Sequence, residues 1–310
     1  MTTPARRLRF YKADVFTDQP FSGNPVAVIP DAEGLTDREF QQIAREMNLS
    51  ETVFVLPPTD PAAIAKLRIF TPTQEIPFAG HPVIGTFFVL GTLRKFPLRE
   101  SVTRFMFECH IGLFPIELHV VGNRVAWVIM SQTKPQFLET VTDMRWIYEI
   151  SQMLQVNKTA ITDTRLPVEV VSTGLPVVIV PVRTLTAVKS IRADPTGTKE
   201  ICEKLGAYGL MVFTTMTVED WASVHARMFV ASIGIAEDPA TGSAGGALGA
   251  YLVKNGVVDV GPTTEVLVEQ GYEIDRPSRL TVQVFSDDDA IQEIKVGGQA
   301  VMIAEGALMF

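Results

Sequence analysis

At 310 residues the chain is long enough for one large domain or two smaller ones, and 46% hydrophobic with 20% charged residues describes a packed globular protein, not a disordered one. A net charge of −8, with only a small basic cluster at Arg6, Arg7, Arg9 and Lys12, argues against a nucleic-acid partner. Two cysteines without a C-x-x-C exclude a disulfide framework and a zinc knuckle, and no apolar run is long enough to cross a membrane; with no signal-like leader in "MTTPARRLRF", a soluble cytoplasmic protein is expected.

Strand-like runs open the chain: "LRFYKADVF", then "NPVAVIP" after a Gly-Asn-Pro turn. "LTDREFQQIAREMN" predicts a helix with Thr36 as N-cap and Glu39 as its capping-box partner. "ETVFVL" and "AKLRIFTP" continue as strands, and "FAGHPVIGTFFVLGTL" reads as a loop entering a helix. The β-runs "GLFPIELHVV" and "RVAWVIM" follow. A helix-like "TVTDMRWIYEISQML" begins the second half, then the strands "VEVVST" and "PVVIVPV", a helix around Lys199–Leu205, and the strands "GLMVFTTM" and "VHARMFV". After "EDPATGSAGGALGAYL" come "TEVLVEQ", "RLTVQVF" and "AVMIAEGALMF".

The two halves follow one order: strands, a helix, two strands, a small-residue loop, a helix, more strands. Their loops are "FAGHPVIG" and "PATGSAGG", and Gly80 and Gly242 lie about half the chain apart. Two similar α/β lobes are expected, over residues 1–130 and 131–310, with a linker near Ser131–Pro135 and the final strands free to cross back to the first lobe.

Both loops lead into helices whose first turns carry small side chains. A helix N-terminus has unpaired N–H groups and partial positive charge, and glycine lets a ligand approach them. Two such starts facing each other would hold an anion, with Gly80-His81 and Gly242-Ser243 as the residues placed to do so. The plainer reading of Gly245, Gly246 and Gly249 is close helix–sheet packing, and Ser243 is also a capping type. "TGSAG" lacks the first glycine of a nucleophile elbow, and the stretch lacks the lysine of a phosphate loop. His81, His110, His119 and His225 have no metal-binding spacing; His110 and His119 read as structural residues in strand-like apolar surroundings. Cofactor-free and metal-free acid–base chemistry is what remains. Glu51, at the edge of "TVFVL", is either a solvated strand-end glutamate or a base whose pKa is raised in a dry pocket. Asp238, before Pro239, reads as a capping acid or a second proton-handling group.

"FTDQPFSGNPVAV", "NLSETVFV", "IPFAGHPVIGT" and "EDPATGSA", in this order from Phe16 to Ala244, resemble the PhzF family of phenazine-biosynthesis isomerases, which has the diaminopimelate epimerase-like fold. The resemblance implies an α/β (α+β) protein of two similar lobes, each a mixed, barrel-like curled sheet around a central helix, with the active site between them. It implies Glu51 as the proton-shuttling acid/base, with His81, Asp238 and Ser243 as hydrogen-bonding and proton-transfer partners. Gly80 and Gly242 are implied as backbone contributors; the "FSGNP" turn reads as architecture, with Asn24 available to line the cleft. A small carboxylate substrate of the trans-2,3-dihydro-3-hydroxyanthranilate type and a homodimer are the family expectations. Diaminopimelate epimerases carry a catalytic cysteine before the glycine of each helix start, where this chain has Ala79 and Thr241. Without two opposed thiols, a proton taken and returned on one face, an isomerisation, is expected over inversion of a stereocentre. The competing expectations are a non-catalytic small-molecule-binding or interaction protein of the same fold, and an epimerase with His81 or Asp238 as second acid.

Overall fold

Alternating exposure along Arg7–Val15 forms β1, which continues through a tight loop into β2, Asn24–Ile29. The computed structural model describes residues 6–230, 235–287 and 290–310. It divides into two compact units, one running up to Ser131 and taking in Gly297–Phe310, the other comprising Gln132–Val296.

In the first unit α1 (Asp37–Met47) has the expected capping box: the Thr36 hydroxyl accepts the Glu39 N–H, and the Glu39 carboxylate accepts the Thr36 N–H. Its apolar face places Phe40, Ile43 and Ala44 against Phe54 and Phe70. Then follow β3 (Glu51–Leu56), β4 (Ala63–Phe70), the two-residue β5 (Glu75–Ile76), α2 (Gly80–Thr92), β6 (Ser101–Cys109), β7 (Gly112–Val121) and β8 (Arg124–Ser131). β1–β2, β3–β4, β6–β7 and β7–β8 pair antiparallel; β2–β3 and β4–β6 are parallel, joined by α1 and α2 as crossovers. Helix α2 touches strands near both ends of this order, β1 and β8, so the sheet curls around it. Ten of its thirteen residues are buried. It has no polar face because no side of it meets water. Close approach explains one glycine: a Cβ on Gly85 would lie 2.5 Å from a methyl of Val26.

The second unit contains β9 (Gln136–Val141), α3 (Met144–Leu154), α4 (Thr159–Thr162), β10 (Val168–Ser172), β11 (Pro176–Pro181), α5 (Leu185–Ser190), α6 (Pro195–Lys204), β12 (Gly209–Thr214) and β13 (Val224–Val230). β14 (Ile235–Asp238), α7 (Gly242–Lys254), β15 (Thr263–Gln270), β16 (Ser278–Asp287) and β17 (Ala290–Gly298), whose last two residues belong to the first unit, follow. The pairing β9-β10-β11-β12-β13-β15-β16 is parallel only at β11–β12 and β13–β15, where helices cross over. This is the pattern of the first unit, and α7 is enclosed as α2 is, touching β10, β11, β15 and β16. The last strand, β18 (Ala300–Met309), pairs antiparallel with β1 and extends the first unit's sheet. Each unit is thus a mixed sheet curled around a central helix, the diaminopimelate epimerase-like arrangement.

Candidate active site

Glu51 is the first residue of β3, a strand flanked by β2 and β4. The run Thr52–Val55 is buried, and this burial extends to Glu51 itself, which is 8% exposed. The solvated strand-end reading of this glutamate therefore does not hold. Loss of water pushes its carboxyl up to about 7, the neighbouring Ser50 hydroxyl working in the opposite direction. Glu51 Oε2 lies 3.3 Å from Nε2 of His81, which is also buried. The approach is not aligned as a hydrogen bond. His81 is the second residue of α2, and the extended backbone of Ala79 before it supplies no side-chain cap. The first-turn amides, Gly80 included, therefore present a positive helix end beside the carboxyl. Pro82, third in the helix, has no N–H and subtracts one donor from that turn. Asn24, fully buried at the start of β2, accepts the Ser50 hydroxyl at Oδ1 (3.4 Å), one residue before Glu51. The first unit thus gathers Asn24, Ser50, Glu51, Gly80 and His81. A carboxyl that titrates near neutrality, next to an imidazole, can take up and release a proton at working pH.

In the second unit α7 begins at Gly242, with Thr241 as an N-cap whose side chain caps no helix amide. The Thr241 hydroxyl instead donates to Asp238 Oδ2 in a short hydrogen bond. Ser243 stands inside the helix as its second residue, not at the capping position, and its carbonyl accepts the Thr173 hydroxyl at 3.0 Å. The fully buried Gln270 holds this corner: Nε2 donates to the Asp238 carbonyl (2.7 Å) and to Thr241 Oγ1 (3.3 Å), while Oε1 accepts the Thr241 N–H (3.3 Å). Gly249 packs as the small-residue stripe suggested, since a Cβ there would lie 2.6 Å from Val282 Cγ1.

Ser50 and Gln270 were not among the residues singled out by sequence. Ser50 had a signal, standing beside Glu51 in "NLSETVFV"; Gln270 had none, because its role depends on β15 running next to β13. The other histidines divide. His110 is exposed at the β6–β7 turn, against the expectation of apolar surroundings, because the hairpin reverses there. His225 is fully buried, with Nδ1 2.7 Å from Glu269 and Nε2 2.9 Å from Glu273. Among the described residues no group of three His, Cys, Asp or Glu is placed to hold a metal ion, and no helix is long and apolar enough to cross a membrane.

Comparison with known proteins places the whole chain. The PhzC-PhzF family, described as phenazine biosynthesis-like protein, matches residues 13–306. The chain is 31% identical over 305 residues to an uncharacterized isomerase of Clostridium acetobutylicum, covering 98% of this chain and 99% of that one. It is 32% identical over 300 residues to trans-2,3-dihydro-3-hydroxyanthranilate isomerase of Pseudomonas chlororaphis, covering 96% and 97%. Among solved structures, the PhzF-family phenazine biosynthesis protein of Bacillus anthracis superposes with a TM-score of 0.88 at 30% identity, covering 98% of this chain and all of that one.

Proposed function

Since this chain belongs to the PhzC-PhzF family of phenazine biosynthesis-like proteins and is an isomerase, we propose that it moves a proton, and with it a double bond, within a small cyclic or unsaturated carboxylic acid. No cofactor takes part in the proposed reaction. The observation that carries the reading is Glu51: a buried carboxyl raised to about 7, 3.3 Å from His81 and beside the uncapped start of α2.

In the proposed reaction the ionised Glu51 removes a proton from a carbon next to the substrate's π-system. The C–H electron pair enters the π-system and the double bond shifts. The same carboxyl, now protonated, returns the proton at the far carbon, so atoms and charge balance without an external reagent. The first-turn amides of α2 favour the negative charge that develops between the two steps. Asp238, Gly242 and Ser243 enter as hydrogen-bonding groups for the substrate on the strength of the family resemblance, and Asn24 as a lining residue. A substrate of the trans-2,3-dihydro-3-hydroxyanthranilate type is proposed from the name of the Pseudomonas relative, and a cytoplasmic homodimer from family analogy.

The test is proton exchange. Wild-type protein incubated with trans-2,3-dihydro-3-hydroxyanthranilate in deuterated buffer is expected to lose a substrate C–H signal as product forms. Glu51→Gln is expected to bind the same compound and exchange nothing. Exchange by Glu51→Gln at the wild-type rate overturns the role given to Glu51. Binding by the wild type with no C–H signal lost and no product formed makes the protein a binder and overturns the reaction.

A further inference from the structure

The two bare helix starts are reached through corners that repeat side chain by side chain. In the first unit β4 contains "KLRIF" from Lys66 to Phe70, and in the second β13 contains "HARMF" from His225 to Phe229. Each is followed by Glu-x-Pro-x-x-Gly: "EIPFAG" from Glu75 to Gly80, and "EDPATG" from Glu237 to Gly242. The spacing between strand and motif differs in the two units. In the folded chain the two sets of residues coincide.

Arg68 forms a two-pronged bond with Glu75, Nε at 2.8 Å and Nη2 at 2.6 Å. Arg227 does the same with Glu237, Nε at 2.9 Å and Nη2 at 2.7 Å. The two guanidinium groups lie over the equivalent phenylalanines, Arg68 at 5.2 Å from the Phe70 ring centre and Arg227 at 5.1 Å from that of Phe229. Two residues before each arginine a basic side chain meets a glutamate on the parallel neighbour strand: Lys66 with Glu108 at 2.7 Å, His225 with Glu269 at 2.7 Å. Both glutamates also accept two backbone N–H groups of the preceding loop, Glu108 from Thr59 and Asp60, Glu269 from Val218 and Glu219.

A planar fork on a carboxylate fixes direction as well as distance, which a single point contact does not. In a strand neighbouring side chains point to opposite faces. Glu237 gripped from one face therefore sets the face on which the next residue, Asp238, is offered. The second corner is braced more heavily. Its fork is nearly buried, and Arg227 Nη1 also donates to the Val188 and Ile191 carbonyls, at 2.9 and 3.1 Å. Glu269, anchored by His225, directly precedes Gln270, whose amide grips the Asp238–Thr241 turn. The proposed proton transfer uses none of these charged groups. They surround the segments that deliver the two helix starts.

We propose that Arg68 and Arg227 are positioning residues: through their forks on Glu75 and Glu237 they hold the β5-to-α2 and β14-to-α7 corners, and so aim the amides of Gly80-His81 and Gly242-Ser243. The catalytic consequence rests on the isomerase reading above; the structural consequence does not.

Glu237→Gln and Arg227→Lys keep size while breaking the two-pronged bond. Each is expected to melt cooperatively, to move the 1H–15N resonances of Gly242 and Ser243 more than those of β10 or β16, and to lower kcat for substrate deuterium exchange at least tenfold with KM within threefold. Glu75→Gln, in the more exposed fork, is read in the same way at Gly80 and His81, and decides the matter if the buried variants do not fold. Lower melting temperatures with wild-type helix-start resonances and kcat overturn the proposal, since the forks then serve stability alone. Should the wild type form no product, the isomerase reading fails and the resonances decide by themselves: movement confined to the helix starts supports positioning, and its absence refutes it.

Discussion

Glu51→Gln exchanges a buried carboxyl for an uncharged amide of almost the same shape, so its effect on stability isolates the cost of burying the charge. The Glu51 carboxyl is raised from 4.5 to about 7 in the folded chain, which corresponds to about 3 kcal/mol against the ionised native state. The sign follows from proton binding. Between about pH 4.5 and 7 the native state holds a proton that the unfolded chain has released, so native stability falls as pH rises through this window. Below the window both forms are neutral and nothing is lost; above it the loss is complete. His81 is 3.3 Å away, and any positive charge there lowers the cost, which makes 3 kcal/mol the upper end. With the glutamine unable to titrate, the variant is expected to be close to wild type in stability near pH 4 and more stable by up to about 3 kcal/mol at pH 8. Urea denaturation at pH 4.5, 6 and 8 with a common slope measures the difference. A variant less stable than wild type at pH 8, or a difference that does not change with pH, refutes the argument that dehydration sets this carboxyl.

His81→Asn is expected to leave the fold intact and to slow substrate deuterium exchange about 100-fold, the usual scale for removing a proton-transfer partner; single-turnover exchange by NMR measures it. Wild-type exchange should rise with pH to a plateau above about 7 as Glu51 ionises, and a rate that is flat from pH 5 to 9 argues against Glu51 as the base. Gly249→Ala places a methyl 2.6 Å from Val282 Cγ1, a buried branched side chain with little room to yield. A loss of about 1–3 kcal/mol is expected from thermal or urea melts. Cys202 is 2% exposed and burial pushes its thiol up to about 12, so alkylation at pH 8 should be far slower in the native protein than after unfolding, as mass spectrometry over time will show.

What the sequence could disclose depended on whether the physical cause was local. The capping box of α1 is local, and Thr36 and Glu39 occupy the predicted positions. The start of α2 at "FAGHP" is also local, because small residues and an early proline advertise a bare first turn even though the helix has no amphipathic period. Helix "TVTDMRWIYEISQML" was half legible: Asp143 caps α3, but Thr140 and Val141 belong to β9, which five exposed residues out of six hide from any alternation test. β5, only two residues long, has no pattern to detect. The burial of Glu51 was not local at all. From the residues, a glutamate ahead of "TVFVL" is a strand-end group facing water; it is dry because β2 and β4 flank its strand and α2 brings His81 against it.

The repeat followed the same rule. Strand order is duplicated and was visible as a rhythm of elements, whereas the shared residues, Arg68 with Arg227 and Glu75 with Glu237, are separated by loops of unequal length. They become comparable only once β4–β5 and β13–β14 pair. Two hydrophobic cores built on one plan can diverge freely, because many apolar combinations fill the same volume. A planar fork on a carboxylate has few substitutes. Charged pairs at the corners therefore match between the two units where most of the apolar residues around them differ. By the same reasoning the exchange of Lys66 for His225 is the informative departure. It puts an imidazole in full burial between two glutamates, where desolvation lowers its pKa but the hydrogen bonds to both carboxylates raise it on balance, so the second corner is held by a planar ring that engages two carboxylates through its two nitrogens.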